Sequence, residues 1–345
     1  MNRLMVMAVA VVMLAAGDFL DAAEYTVNGW KLEVSLVPDK ATFMVGEPIY
    51  LSFKVCNRSE KVFWVFQGGD TLNEFSREDS FTLEAISETG VVIPMLSAGQ
   101  TGGSSVAGLQ RIPVNGSYSF SLFLPHWLNL ADPGRYTITA KRRLNVNDRS
   151  EFSDFQRGLM GDKFVDAEAS TKVTVKPMDK AQMGRVIDEW AQLMLGKNED
   201  AARRAAEALA AINDERTIGY FSRAVDGAYY GAKYKAVQAL EKFNNDAALA
   251  ALNKAALDTD DNIRIGAAYA LSRSLHPRAM AALLARWKDS SRGVRLVVLH
   301  ALGKMQSAES LDMIRTMTKD PDEMVSLEAE RYLKLRTSAV AKPAR

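Results

Sequence analysis

Cysteine is nearly missing from this chain of 345 residues: Cys56 stands alone. No internal disulfide can form and no Cys-x-x-Cys pair exists for metal or redox chemistry. Histidine is almost as scarce, with His126, His276 and His300 and no His-x-x-x-His spacing, so zinc has no ligand set. Excess charge of one sign is also lacking. Residues 1–179 carry 17 Lys/Arg against 21 Asp/Glu and residues 180–345 carry 26 against 21, for a chain total of +1. A nucleic-acid-binding surface needs a larger basic excess, interleaved with aromatics for stacking, so nucleic acid is not an expected partner. No Gly-x-Ser-x-Gly turn, phosphate-binding glycine loop or carboxylate pair for acid–base work is legible. The expectation is a non-enzymatic protein without cofactor or metal.

Long apolar runs are missing too, with one short exception. Arg3 precedes an apolar run of 13 residues, Leu4 to Ala16, and Ala15-Ala16-Gly17 follows as a small-residue cleavage site. A bilayer needs about 20 apolar residues, so this run reads as a signal peptide over residues 1–23, cut near residue 17. The mature chain is expected to be periplasmic or secreted, with no stable membrane insertion.

From residue 24 to 177 the apolar pattern has period two. In Pro48–Val55, Ile49, Leu51, Phe53 and Val55 face one way, and Tyr50, Ser52 and Lys54 the other. Further strands are expected at Trp30–Val37, Val62–Phe66, Ser80–Ile86, Ser117–Leu124, Arg135–Leu144 and Ala167–Lys176, with Cys56 a structural residue at a strand end. About seven strands between turn signals predict an antiparallel β-sandwich. Leu130-Ala131-Asp132-Pro133-Gly134-Arg135-Tyr136 resembles the tyrosine corner of immunoglobulin-like domains, which implies that Tyr136 bonds back to the preceding turn. The Cys…Trp…Cys pattern of antibody domains is absent. Two long loops are expected, Ser97–Ala107 and Asn145–Asp166. The second carries Phe152 and Phe155, which are candidates for a partner contact or for docking on the protein itself.

The second half is periodic. Leu209, Leu240, Leu271, Leu302 and Leu333 lie 31 residues apart, four of them preceded by alanine. Ala205, Ala236, Ala267, Val298 and Ala329 stand four positions earlier, on the same helical face. Ile218, Leu249, Met280 and Leu311, with Phe221, Leu252, Leu283 and Ile314, supply the stripe of a second helix in each unit. A fixed period of this length means stacked helical units. Asp261-Asn262-Ile263-Arg264-Ile265-Gly266-Ala267-Ala268-Tyr269-Ala270-Leu271 is similar to the signature of HEAT repeats, of the short type named after phycobilisome lyases. Gly293-Val294-Arg295-Leu296-Val297-Val298-Leu299-His300-Ala301-Leu302 repeats it. The resemblance implies an all-α superhelical solenoid over residues 180–336, armadillo-like in class, with a helix near Lys180–Leu195 capping the stack. The last helix is expected over Glu323–Leu335, and residues 337–345 as a disordered tail.

Lys233, Arg264 and Arg295 recur at the same period and are expected to bond acidic turn residues of a neighbouring unit, such as Asp258 and Asp289. The run Asp258, Asp260, Asp261, Asn262 is expected to cap the next helix rather than hold calcium, because it lacks the glycine and glutamate of an EF-hand loop. Arg223, Lys254, Arg286 and Arg315 fall on the second helices, which in HEAT stacks line the inner side. They are the candidate partner-binding face. The expected function is a scaffold that holds a protein or peptide along the solenoid. The alternative is a peptidase inhibitor acting through the loops of the β half.

Overall fold

The computed structural model describes residues 22–27, 29–67, 81–96, 108–148 and 164–340, with side chains as far as residue 336. The expected leader over residues 1–21, the loop 97–107, Phe152 and Phe155 lie outside the described residues. The chain divides into two compact units, one ending at Met178 and one starting at Asp179.

The first unit is β-rich. Strands β1 (Ala23–Val27), β2 (Trp30–Pro38), β4 (Tyr50–Asn57) and β9 (Ser117–Phe123) form a four-stranded antiparallel sheet in the order β1-β2-β4-β9. A second sheet runs β3 (Thr42–Met44), β11 (Phe164–Lys176), β10 (Gly134–Asn147), β5 (Phe63–Gln67), β8 (Gly108–Ile112). In that sheet β6 (Thr82–Ser87) also pairs with β10, and β7 (Val92–Ile93) pairs with β6. Side chains from both sheets meet in one core, with Leu32, Val34, Leu51, Phe53 and Val55 joined by Phe63, Leu83, Ile138 and Val173. The alternation expected for Pro48–Val55 holds, except that Tyr50 is buried as well, against Phe123 at 4.6 Å between ring centroids. Cys56 lies within β4, buried. The Tyr136 hydroxyl donates to the carbonyl of Asp132 at 2.8 Å, the bond that the corner motif implies.

The expected loop at Asn145–Asp166 is too long. Strand β10 continues to Asn147 and β11 starts at Phe164, in register with Asn145. Two asparagines look like turn residues, but Asn147 Nδ2 donates to Asn145 Oδ1 at 3.0 Å inside the sheet, and Leu144 and Val146 keep the alternation. Strands β1, β3, β7 and β8 were not legible. They are short, and their burial depends on a neighbouring strand rather than on a local pattern.

In the second unit, ten helices follow among the described residues: α1 (Lys180–Met194), α2 (Glu199–Ala211), α3 (Arg216–Gly227), α4 (Tyr230–Leu240), α5 (Asp246–Ala255), α6 (Asp261–Arg273), α7 (Ala279–Leu284), α8 (Arg292–Lys304), α9 (Ala308–Met317) and α10 (Glu323–Val340). Side chains at N-caps start several of them: Asn198, Asn245, Asp260 and Ser307 each accept from a backbone N–H of the first turn. The first helices of the units, α2, α4, α6, α8 and α10, pack on one another in succession. Small residues on their shared face permit this: Ala205, Ala236 and Ala267 are fully buried, beside Leu209, Leu240, Leu271 and Leu302. The second helices α3, α5, α7 and α9 bury Phe221, Leu252, Leu283 and Ile314, while Met280 and Leu311 are only half-buried. Helix α10 extends beyond the expected Leu335 to Val340, into the stretch expected to be a disordered tail. No glycine or proline interrupts Arg336 to Val340, so nothing there stops the helix.

Candidate functional site

Polar chemistry in the helical unit begins at the turns between repeats. Lys233 Nζ lies 2.8 Å from Asp258 Oδ2, Arg264 Nη2 3.1 Å from Asp289 Oδ1, and Arg295 Nη2 2.8 Å from Asp320 Oδ1. Cation and carboxylate both recur every 31 residues, so three consecutive units are joined by one repeated bond. Each aspartate also accepts from a backbone N–H two residues on, at Asp260, Ser291 and Asp322. Each arginine also donates through Nη1 to two carbonyls of the turn before its own helix: Asp258 and Thr259 for Arg264, Asp289 and Ser290 for Arg295. The expected ladder is therefore present, and it is structural. The capping expectation holds in finer form. Asp260 caps α6 through Asn262 N and Ile263 N, while Asp258 serves the ladder.

Burial pushes the Asp258 carboxyl up, but the hydrogen bonds from Lys233 and the Asp260 N–H pull it down further, to a net value below the usual carboxylate range. Asp320 behaves alike, with Arg295 and the Asp322 N–H as its donors. A carboxylate whose pKa is lower folded than unfolded stabilises the fold above the unfolded value and loses that contribution as pH falls through the folded one. The melting temperature of the helical unit is therefore expected to stay level from about pH 7 to 5 and to fall below about pH 4, where aspartate protonates. Thermal melts across this range check it, and a profile still level at the acid end would contradict the coupling.

The four candidate cations form an uneven row. Arg223 on α3 and Lys254 on α5 are one repeat apart and exposed. Arg315 on α9 is exposed as well. Arg286 is not on a second helix as expected. Helix α7 ends at Leu284, and the N–H groups of Arg286 and Trp287 bond three residues back, to Leu283 and Leu284, which tightens the chain into a turn. Lys254 pairs with Asp226, and Arg315 pairs with Asp312 at 2.8 Å. Neither Arg223 nor Arg286 has an acidic partner among the described residues. Arg223 sits 6.0 Å from the Tyr220 ring centroid, and beside Arg286 the ammonium of Lys288 lies 4.5 Å over Trp287.

A second exposed group escaped the sequence reading. Tyr230 and Tyr234 stack at 6.1 Å on α4, and a Cβ on Gly266 of α6 would lie 3.2 Å from the Tyr234 ring. Glycine there lets the ring cross onto the next unit. Tyr230 and Tyr269 are each nearly half exposed. Arg273, 5.9 Å from the Tyr269 ring, is held by two bonds of 2.6 Å to Glu241. These tyrosines do not recur at the repeat period, so nothing in the spacing marks them. Of the histidines, His276 bonds Asp246 at 2.9 Å across a unit boundary, and His300 lies 3.6 Å from Glu328.

Residues 187–272, and again 221–296, match the family model of HEAT repeats. The helical unit is thus a HEAT and armadillo-like repeat stack. Among solved structures, the chain is similar to the CpcE–CpcF complex of phycocyanin lyase from Nostoc sp. PCC7120, at 20% identity over 43% of this chain and 98% of that one, with a TM-score of 0.35. A designed armadillo repeat protein in complex with the peptide (KR)4 matches at 16% identity over 46% of this chain and 84% of that one, with a TM-score of 0.31. The CARDB domain of the PF1109 protein from Pyrococcus furiosus, in complex with di-metal ions, matches at 10% identity over 46% and 100%, with a TM-score of 0.23. No curated protein matches the chain.

Proposed function

We propose that this chain is an exported, non-enzymatic scaffold that binds a protein or peptide along its HEAT repeats. In this reading residues 1–23 are a leader, residues 24–177 an immunoglobulin-like sandwich and residues 180–336 the solenoid. The observation that carries it is the ladder. Its three cations and three aspartates are consumed in fixing each unit to the next, which makes one extended surface from short helices. A surface already ordered before binding loses less entropy when a partner docks, and repeat stacks present such surfaces to extended partners. The candidate contact residues are Arg223, Lys254, Arg286 and Arg315, with Phe152 and Phe155 on the other unit.

The test is site-specific photo-crosslinking of the full chain in an envelope extract, with the probe at Arg223, Tyr269 or Val92 in turn, all three of which are exposed. Partners captured from Arg223 or Tyr269 are the expected result. Peptidases captured from Val92 alone would support inhibition through the β unit instead. No partner from any site would end the scaffold reading.

A further inference from the structure

We propose that the segment received by the helical unit is an extended acidic chain whose carboxylates lie about three residues apart, seated along Arg223, Lys254, Arg286 and Arg315. This rests on the scaffold reading and names the partner's chemistry.

Charge complementarity carries it. Residues 180–345 hold five more basic than acidic side chains, 26 against 21. The ladder is electrically balanced, each cation facing its own aspartate, so the whole excess belongs to the remaining side chains. In the row itself, four cations meet two carboxylates, Asp226 and Asp312. Both pairs are exposed, and exposed pairs contribute only about 0–1 kcal/mol, so an incoming carboxylate displaces them at little cost. Arg223 and Arg286 lack even that competition. Arginine beside an aromatic ring, as at Tyr220 and Trp287, is a pairing common at the centres of interfaces.

Geometry supplies the spacing. Helices packed side by side are about 8–10 Å apart, and an extended chain advances about 3.3 Å per residue. One carboxylate every third residue therefore keeps step with one cation per repeat. The tyrosine group on α4 and α6 offers no such match, because Arg273 is already held by Glu241.

The experiment measures fluorescence anisotropy of the full chain with a labelled peptide of repeated Glu-Ser-Gly triplets. Comparison probes are a peptide of the same composition with its glutamates in one block, a Lys-Ser-Gly repeat, and oligo-dT. The triplet peptide is expected to bind tightest and to weaken as salt rises. The double variant R223Q/R286Q, which strands no carboxylate, is expected to lose roughly tenfold in affinity, and R223E/K254E/R286E/R315E to abolish binding. Unchanged melting of both variants separates this from misfolding, and Y230A/Y269A is expected to bind as the parent does. Preference for the lysine repeat or for oligo-dT would overturn the inference, as would equal binding by R223Q/R286Q. A partner crosslinked from Arg223 with no binding of any acidic peptide would remove the acidic chain and leave the scaffold. Failure of both experiments would remove both.

Discussion

Leu271→Ala is expected to lower the stability of the helical unit by roughly 3–4 kcal/mol, within the range for emptying a fully buried leucine site. Leu271 has no exposed surface and lies on α6, with a further first helix packed on either side. The seam around it is lined by alanines, among them Ala236, Ala239, Ala267 and Ala270. Short side chains on rigid helices cannot move in to fill the hole, so the cavity persists. For a unit of this size, each kcal/mol shifts the melting temperature by about 2–4 °C. A drop of roughly 6–15 °C in thermal melts of the full chain should follow. Leu333 holds the same repeat position on α10 but is only half-buried. Leu333→Ala should cost about 1 kcal/mol, since a partly exposed side chain has less transfer energy to lose and solvent fills its place. Equal losses at the two positions would show that burial does not set the cost, against the stacked-unit account.

Arg264→Ala is expected to cost about 3 kcal/mol, close to the figure for breaking a buried pair. The side chains of Arg264 and Asp289 are 9% and 10% exposed, unlike the surface pairs. The guanidinium uses every nitrogen: Nε on Asp289, Nη1 on the carbonyls of Asp258 and Thr259, Nη2 on Asp261 and Ser290. Removing it leaves a buried carboxylate and two carbonyls unanswered at one unit boundary. Arg264→Lys should recover only part of the loss, because one ammonium cannot reproduce a planar fork with five N–H groups. The double variant R264A/D289A should be less damaged than the sum of its singles, since it no longer strands the aspartate. Urea unfolding of the four proteins makes the cycle, and a loss under about 1 kcal/mol for Arg264→Ala would class the pair with ordinary surface salt bridges.

The contrast between the ladder and the binding row shows which features the sequence carries openly. A residue that must meet the same neighbour in every unit has to recur at the unit length, so Lys233, Arg264 and Arg295 could be paired with Asp258 and Asp289 before any coordinates. Asp320 follows by the same step. A surface residue has no such obligation. Arg286 falls one position out of register because α7 closes early into a turn, and its place is set by backbone bonds to Leu283 that no spacing announces. Tyr230, Tyr234 and Tyr269 come together only because α4 and α6 lie side by side with a glycine between them.

The β unit divides in the same way. Strands buried on one face and long enough to alternate, such as β2 and β4, were legible. Asn145 and Asn147 extended β10 against their turn preference, because the partner strands β5 and β11 were there to receive them. The sequence by itself determined the order of a β-rich half and a periodic helical half, the repeat length, the buried leucines and the ladder. Each of these follows from a residue's own periodicity. Only the tertiary structure decided the short edge strands, the full length of α10, the position of Arg286 and the tyrosine group. Those depend on which segments become neighbours, and neighbours across a stack or a sheet leave no local pattern when their contact is made once.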